Sequence, residues 1–204
     1  GGETYVQRLS RLTGHALATG FGGVTHYWHC ATNNVPEDAL RFCTIADYVG
    51  MKLTGRTEPL THASNAASFG LYDCEGAAFD RAAIEAAGMQ IGFFPRVTRG
   101  AALLGDDGDG ARVAVAIGDN QASFIGSVRE PGRAALINMG TGGQISLKAD
   151  SKGPFAAIES RPLNEGDAIL VGSSLCAGRA YALLEGFLRS CCELVAPQVG
   201  SLYP

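Results

Sequence analysis

Two short segments place chemically capable groups at the ends of apolar runs. In the first, Val113-Ala114-Val115-Ala116-Ile117 leads into Gly118-Asp119-Asn120-Gln121. A carboxylate at the end of a buried strand, beside a glycine and ahead of a helix, sits where ligands bind in open α/β sheets. There Asp119 can accept a proton from a substrate hydroxyl as the transition state forms. The same pattern also suits an aspartate that only caps the following helix. In the second segment, Gly140-Thr141-Gly142-Gly143 joins the apolar runs 135–139 and 144–147. Successive amides in a tight glycine turn make an anion-binding concavity, and Thr141 adds a hydroxyl donor. A plain β-hairpin would want glycine there too. No lysine follows the glycines, so this is not a Walker A loop. Side by side, the two segments would bring a base and a phosphate cradle to one sheet edge.

Taken together, these residues carry a resemblance. Gly118-Asp119-Asn120-Gln121-Ala122-Ser123 and Asn138-Met139-Gly140-Thr141-Gly142 resemble the start of the second domain in FGGY-family carbohydrate kinases. Upstream, Thr44-Ile45-Ala46-Asp47-Tyr48 with Lys52-Leu53-Thr54-Gly55 is similar to that family's segment closing its first domain. Ser64-Asn65-Ala66-Ala67-Ser68, Leu71-Tyr72-Asp73 and Pro95-Arg96-Val97 follow in the family's order, as does Ala177-Gly178-Arg179-Ala180. The Asn65-Ala66-Ala67-Ser68 run and Gln121 look most like sedoheptulokinase-type members.

The resemblance implies an α/β, actin-like (ribonuclease H-like) ATPase fold. Residues 1–110 would belong to an N-terminal sugar-binding lobe and residues 111–204 to the start of a C-terminal ATP-binding lobe. It implies phosphorylation of a sugar or polyol hydroxyl by ATP with Mg²⁺, the metal being held largely through water rather than by protein ligands. Asp119 would be the base, Gly140, Thr141, Gly142 and Gly143 would hold phosphates, and Asn120 and Gln121 would lie near the sugar. The family's first phosphate loop and adenine-pocket motif have no counterpart here, so the chain reads as an internal piece, inactive alone. A non-catalytic sugar-binding or assembly piece and another actin-like ATPase are the rival readings. His62 stands where many relatives place an aspartate.

The elements that must position these groups are legible in part. Residues 4–13 put Tyr5, Leu9 and Leu12 on one helical face, with Gly14 as the stop. Gly20 to Gly23 predict a loop, and Trp28 beyond it is expected in the core. Pro36-Glu37-Asp38-Ala39 predicts a helix start, and 42–45 a short buried strand. Asp47 is expected to cap a helix ending at Gly55. A short helix over 80–87 should close at Gly88, and Pro95 should open an extended loop. Asp106-Asp107-Gly108-Asp109-Gly110 reads as an exposed loop near a lobe boundary. Strands are expected over 113–117, 135–139, 144–147 and 168–171, and helices over 120–128 and 178–190.

Composition sets the outer limits. The 204 residues, 46% apolar, suffice for a real core. Sixteen Lys+Arg against 20 Asp+Glu give a net charge of −4, which excludes a polycation that coats nucleic acid. No run reaches the ~18–20 apolar residues of a membrane span, and no signal-peptide pattern opens the chain, so a cytoplasmic protein is expected. A homodimer is compatible with the sequence. Cys30, Cys43, Cys74, Cys176, Cys191 and Cys192 lack any C-x-x-C spacing, so free, mostly buried thiols are expected. Four histidines without an i, i+4 pair argue against a protein-held metal. His15, after the helix stop, is expected only to hydrogen-bond there.

Overall fold

The computed structural model describes residues 2–150, 158–196 and 200. Its first elements are α1 (Tyr5–Thr13), α2 (Gly22–Ala31) and α3 (Ile45–Leu53). Helix α1 opens with a capping box between Thr4 and Gln7 and stops where Gly14 adopts φ 73°, a left-handed conformation that favours glycine. Helix α2 corrects the expected glycine loop, because Gly22 and Gly23 are already helical. A Cβ on Gly23 would meet the Phe69 carbonyl, so glycine lets α2 approach that backbone. The resulting register turns Trp28 outward, 41% exposed, and buries His26 instead. Helix α3 is capped by Thr44 rather than Asp47. Asp47 takes the third helical position and returns a bond to the Thr44 amide.

Two further expectations fail between α2 and α3. Pro36 to Ala39 form only a turn, with Ala39 N donating to Pro36 O. Residues 42–44 form no strand. A backbone bond from Phe42 N to Phe93 O holds them, together with ring packing of Phe42 on His26, Phe69 and Phe94. The aromatic cluster fixes the segment better than a ladder with no partner strand could.

Next come β1 (Leu60–His62), α4 (Ala63–Ala66) and a 3-10 turn at Ala67–Phe69. β2 (Tyr72–Asp73) and β3 (Ala78–Phe79) form a small antiparallel pair ahead of α5 (Arg81–Ala86). Asp80 caps α5, and its other oxygen meets His15 Nε2 at 2.9 Å, which ties α1 to α5. After Pro95 the chain forms a strand, not a loop: β4 (Arg96–Thr98) pairs in parallel with β1. β5 (Leu103–Asp106) and β6 (Arg112–Ala114) make a hairpin whose tip is the acidic glycine turn. Leu9, Val24, Tyr27, Phe69, Leu71, Ile84, Met89 and Phe94 form the main core of this part.

The remaining elements are α6 (Asp119–Ser127), β7 (Ala135–Met139), β8 (Gly143–Ala149), β9 (Glu159–Pro162), β10 (Ala168–Ser174) and α7 (Gly178–Glu193). The four strands form an antiparallel sheet in the order β7-β8-β10-β9. Phe124 of α6 packs with Leu136, Leu163, Ile169 and Val171 to make a second core. On the opposite sheet face Ile137, Met139, Ile145 and Leu147 are exposed, as the period-2 alternation of a strand requires. Among the described residues no two cysteines are bridged and none is fully buried; Cys176 and Cys191 are exposed. No helix among them is long and apolar enough to cross a membrane.

Candidate active site

The link from β6 to α6 is held by side chains rather than by a ladder. The expected strand over 113–117 ends at Ala114. Val115 N still donates to Ala102 O. Beyond it, Ala116 O accepts from Asn65 Nδ2 at 3.1 Å, and Gly118 N donates to Ser64 Oγ at 2.9 Å. Buried backbone groups need partners, and here α4 supplies them. Ser64 and Asn65 are therefore site residues that reading the sequence for chemistry passed over. Their signal was a Ser-Asn pair just after a strand, visible only as a landmark of resemblance.

Asp119 is the first residue of α6, and Gly118 occupies the cap position. The carboxylate is exposed, and its Oδ1 accepts from the Asn120 amide at 2.6 Å. Its placement leaves the other oxygen available to a ligand at the positive end of the helix. Asn120 and Gln121 turn the other way and are buried. Asn120 Oδ1 accepts from Ser146 Oγ of β8 at 3.3 Å, and Gln121 Nε2 donates to the Pro162 carbonyl of β9 at 2.9 Å. These two bonds fasten the start of α6 onto the sheet.

The 140–143 turn joins β7 to β8 and closes against the start of α7. Gly178 N donates to Gly140 O at 2.8 Å, and Ala177 N donates to Thr141 O at 3.1 Å. Side chains are excluded from this junction. A Cβ on Gly178 would lie 2.5 Å from Gly140 O, and one on Gly142 would lie 2.9 Å from Ser174 O. Gly140 and Thr141 are exposed, and no acid occupies the first turn of α7. A helix leaves its first amides without internal partners, so those of Arg179 and Ala180 add to the donors of the turn. Ser146, which Asn120 touches, lies three residues along β8 from Gly143, about 10 Å at the rise of a strand. The structure thus joins the Asp119 end of α6 and the glycine turn through one strand.

Buried titratable groups lie behind this site. Burial lowers the pKa of His62, with hydrogen bonds and Asp47 opposing it, and burial raises that of Asp47.

No family model matches the chain. Sedoheptulokinase of Mus musculus is 28% identical to it, over 88% of this chain and 41% of that protein. Sedoheptulokinase of Homo sapiens is 27% identical, over 82% of this chain and 38% of that protein. The chain thus spans about two fifths of the curated relatives it matches. Xylulose kinase from Lactobacillus acidophilus superposes with a TM-score of 0.70 at 16% identity, covering 91% of this chain and 40% of that one. Plasmodium falciparum glycerol kinase, solved with ADP, gives 0.69 at 17% identity, covering 89% and 40%. The fold is that of the sugar kinases. The resemblance to FGGY-type kinases therefore holds in sequence and in three dimensions, and the chain carries part of the actin-like fold that it implied.

Proposed function

We propose that this chain supplies the acceptor-activating carboxylate and one phosphate cradle of an ATP-dependent sugar or polyol kinase. The observation that carries the reading is the solvent-open Asp119 carboxylate at the start of α6, fastened to the strand that leads to the glycine turn. In the reaction the acceptor hydroxyl oxygen bonds to the terminal phosphorus of ATP, the bond to the ADP oxygen breaks, and Asp119 takes the hydroxyl proton. Such transfers depend mostly on positioning and charge stabilisation. The junction of Gly140, Thr141, Gly142 and Gly143 with α7 suits phosphates: Gly142 and Gly178 keep side chains out of it, and the Arg179 and Ala180 amides at the start of α7 lack internal partners. Magnesium ATP supplies the phosphoryl group and offsets its charge when bound. Asn120 and Gln121 border the sugar by holding α6 in place, Asn120 through Oδ1 and Gln121 through Nε2.

Similarity to the sedoheptulokinases favours a ketose as the acceptor. We assign residues 1–110 to the sugar-binding lobe and 111–204 to the ATP-binding lobe, with the β5–β6 hairpin carrying the chain across. In support, the two main cores draw on separate sides of that division. The unbridged thiols suit the cytoplasm, where ATP is available. The test is ADP formation by the intact protein with a panel of ketoses and polyols. Strict dependence on one sugar is expected. Phosphate release without sugar would instead assign an ATPase.

A further inference from the structure

His62 is buried at the crossing of three segments, and its ring nitrogens face groups whose roles are unambiguous. A backbone amide can only donate, and Ser64 N lies 3.2 Å from Nδ1. A carbonyl can only accept, and Arg99 O lies 3.2 Å from Nε2. His62 is therefore neutral with its proton on Nε2. Ser64 Oγ lies 2.8 Å from Nδ1 and accepts the Gly118 amide at 2.9 Å. Arg99 O also accepts from Glu165 N, which brings in the loop between β9 and β10. One imidazole thus links the end of β1, the residue before Asp119, and the far side of the sheet.

We propose that His62 and Ser64 are positioning residues that hold Gly118, and through it Asp119, and that they do so only while His62 is neutral. The catalytic consequence rests on the reading of Asp119 as the base; the hold on Gly118 does not. A second proton would turn Nδ1 from acceptor to donor. Ser64 N–H would lose its acceptor and α4 its cap, since His62 is the α4 N-cap. The Ser64 hydroxyl would have to turn its proton away from the ring, and its oxygen would then take Nδ1–H in competition with the Gly118 amide. The groups facing the imidazole are Asp47 from α3, Tyr72 and Cys74 from β2 and its turn, and Arg99, Asn164 and Asp167 from the loops beside it. Burial opposes the protonated ring more strongly than the Arg99 carbonyl, Asn164 and Asp47 favour it. The hold is thus complete at neutral pH and released on acidification.

Amide hydrogen exchange read by NMR on the full chain tests this directly. Protection of the Gly118 amide should fall at least tenfold as pH is lowered through the His62 titration, followed on the ring itself, while β7–β8 amides stay protected. Ser64→Ala should lower Gly118 protection to a similar degree at every pH and leave His62 titrating. His62→Asn retains an acceptor for Ser64 N–H, so it should keep α4 capped and abolish the pH dependence. Gly118 protection that ignores both pH and Ser64→Ala would overturn the proposal. So would a Ser64→Ala protein in which all amides loosen together. In sugar-dependent turnover by the intact protein, Ser64→Ala should lower kcat about tenfold to a hundredfold with sugar KM unchanged. Normal kcat in Ser64→Ala with Gly118 released would end the positioning role. Normal turnover in Asp119→Asn would remove only the base assignment, leaving the exchange result standing.

Discussion

The part of the chain before Gly118 and the part after it close their cores in different ways. The first part builds an aromatic cluster in which Phe42, Phe69, Phe79 and Phe94 meet at ring separations of 4.8 to 5.6 Å, with His26 stacked on Phe42. Short helices and two-stranded pairs surround it, and none of them could stand alone. The second part has the more regular elements, a four-stranded sheet and a 16-residue helix. Yet α6 covers only one sheet face, and Ile137, Met139, Leu183 and Phe187 are all more than 60% exposed. Regular backbone hydrogen bonding and a closed core are thus separate achievements. The irregular part has the larger core, and the regular part carries the two segments with chemical potential.

That contrast can be pressed at both ends. The largest effect should come from the second part without any loss of fold. Asp119→Asn removes the proposed base from an exposed position, so kcat of the intact protein should fall roughly 10²–10⁴-fold. Sugar affinity and the thermal midpoint should hardly move. A variant with near-normal turnover would leave Asp119 as a helix-start residue only.

The reverse holds in the first part. Phe94→Ala empties the centre of the aromatic cluster, where Phe94 touches three other rings, and should cost about 3–5 kcal/mol of stability. Denaturant melts would check this, and a loss below about 1 kcal/mol would show that the cluster collapses around the gap. Between these extremes, Gly178→Ala pushes a Cβ onto Gly140 O and should cost about 1–3 kcal/mol while weakening ATP binding. Calorimetry with ATP and magnesium reads the second effect.

Proton linkage separates the two parts again. His26 and His62 both have pKa values lowered chiefly by burial, and both lie before Gly118. A buried neutral histidine contributes stability above its unfolded value near 6.5, and that stability is lost as pH falls toward the lowered folded value. Asp47 has the opposite sign: raised by burial, it favours folding below its unfolded value near 3.8 and loses that contribution as pH rises through the folded value. The first part should therefore loosen before the sheet as pH falls below about 6.5. Tryptophan fluorescence reports it, because Trp28 is the only tryptophan. Coincident loss of the sheet would show that the two parts unfold as one. The smallest effect is expected at Ile137→Thr, within about 0.5 kcal/mol, because that side chain is already in water.

Local rules account for what could be read from the chain alone. Gly14 and Gly88 end helices, Asp80 begins one, and the 140–143 turn joins two strands, because each depends on residues a few positions apart. Asp119, Asn120, Gln121 and the glycine turn were visible for the same reason, as strand ends with polar or glycine residues attached. Tertiary structure decided the rest. The apolar run 113–117 leaves its strand partner after Val115, and Asn65 and Ser64, some fifty residues upstream, take the Ala116 carbonyl and the Gly118 amide instead. Trp28 faces water because the helix begins at Gly22 and sets its register against Phe69. His62 shows no chemistry in its own neighbourhood of sequence. Arg99 reaches it, and Gly118 reaches its neighbour Ser64, only when β4 pairs beside β1 and the chain returns to begin α6.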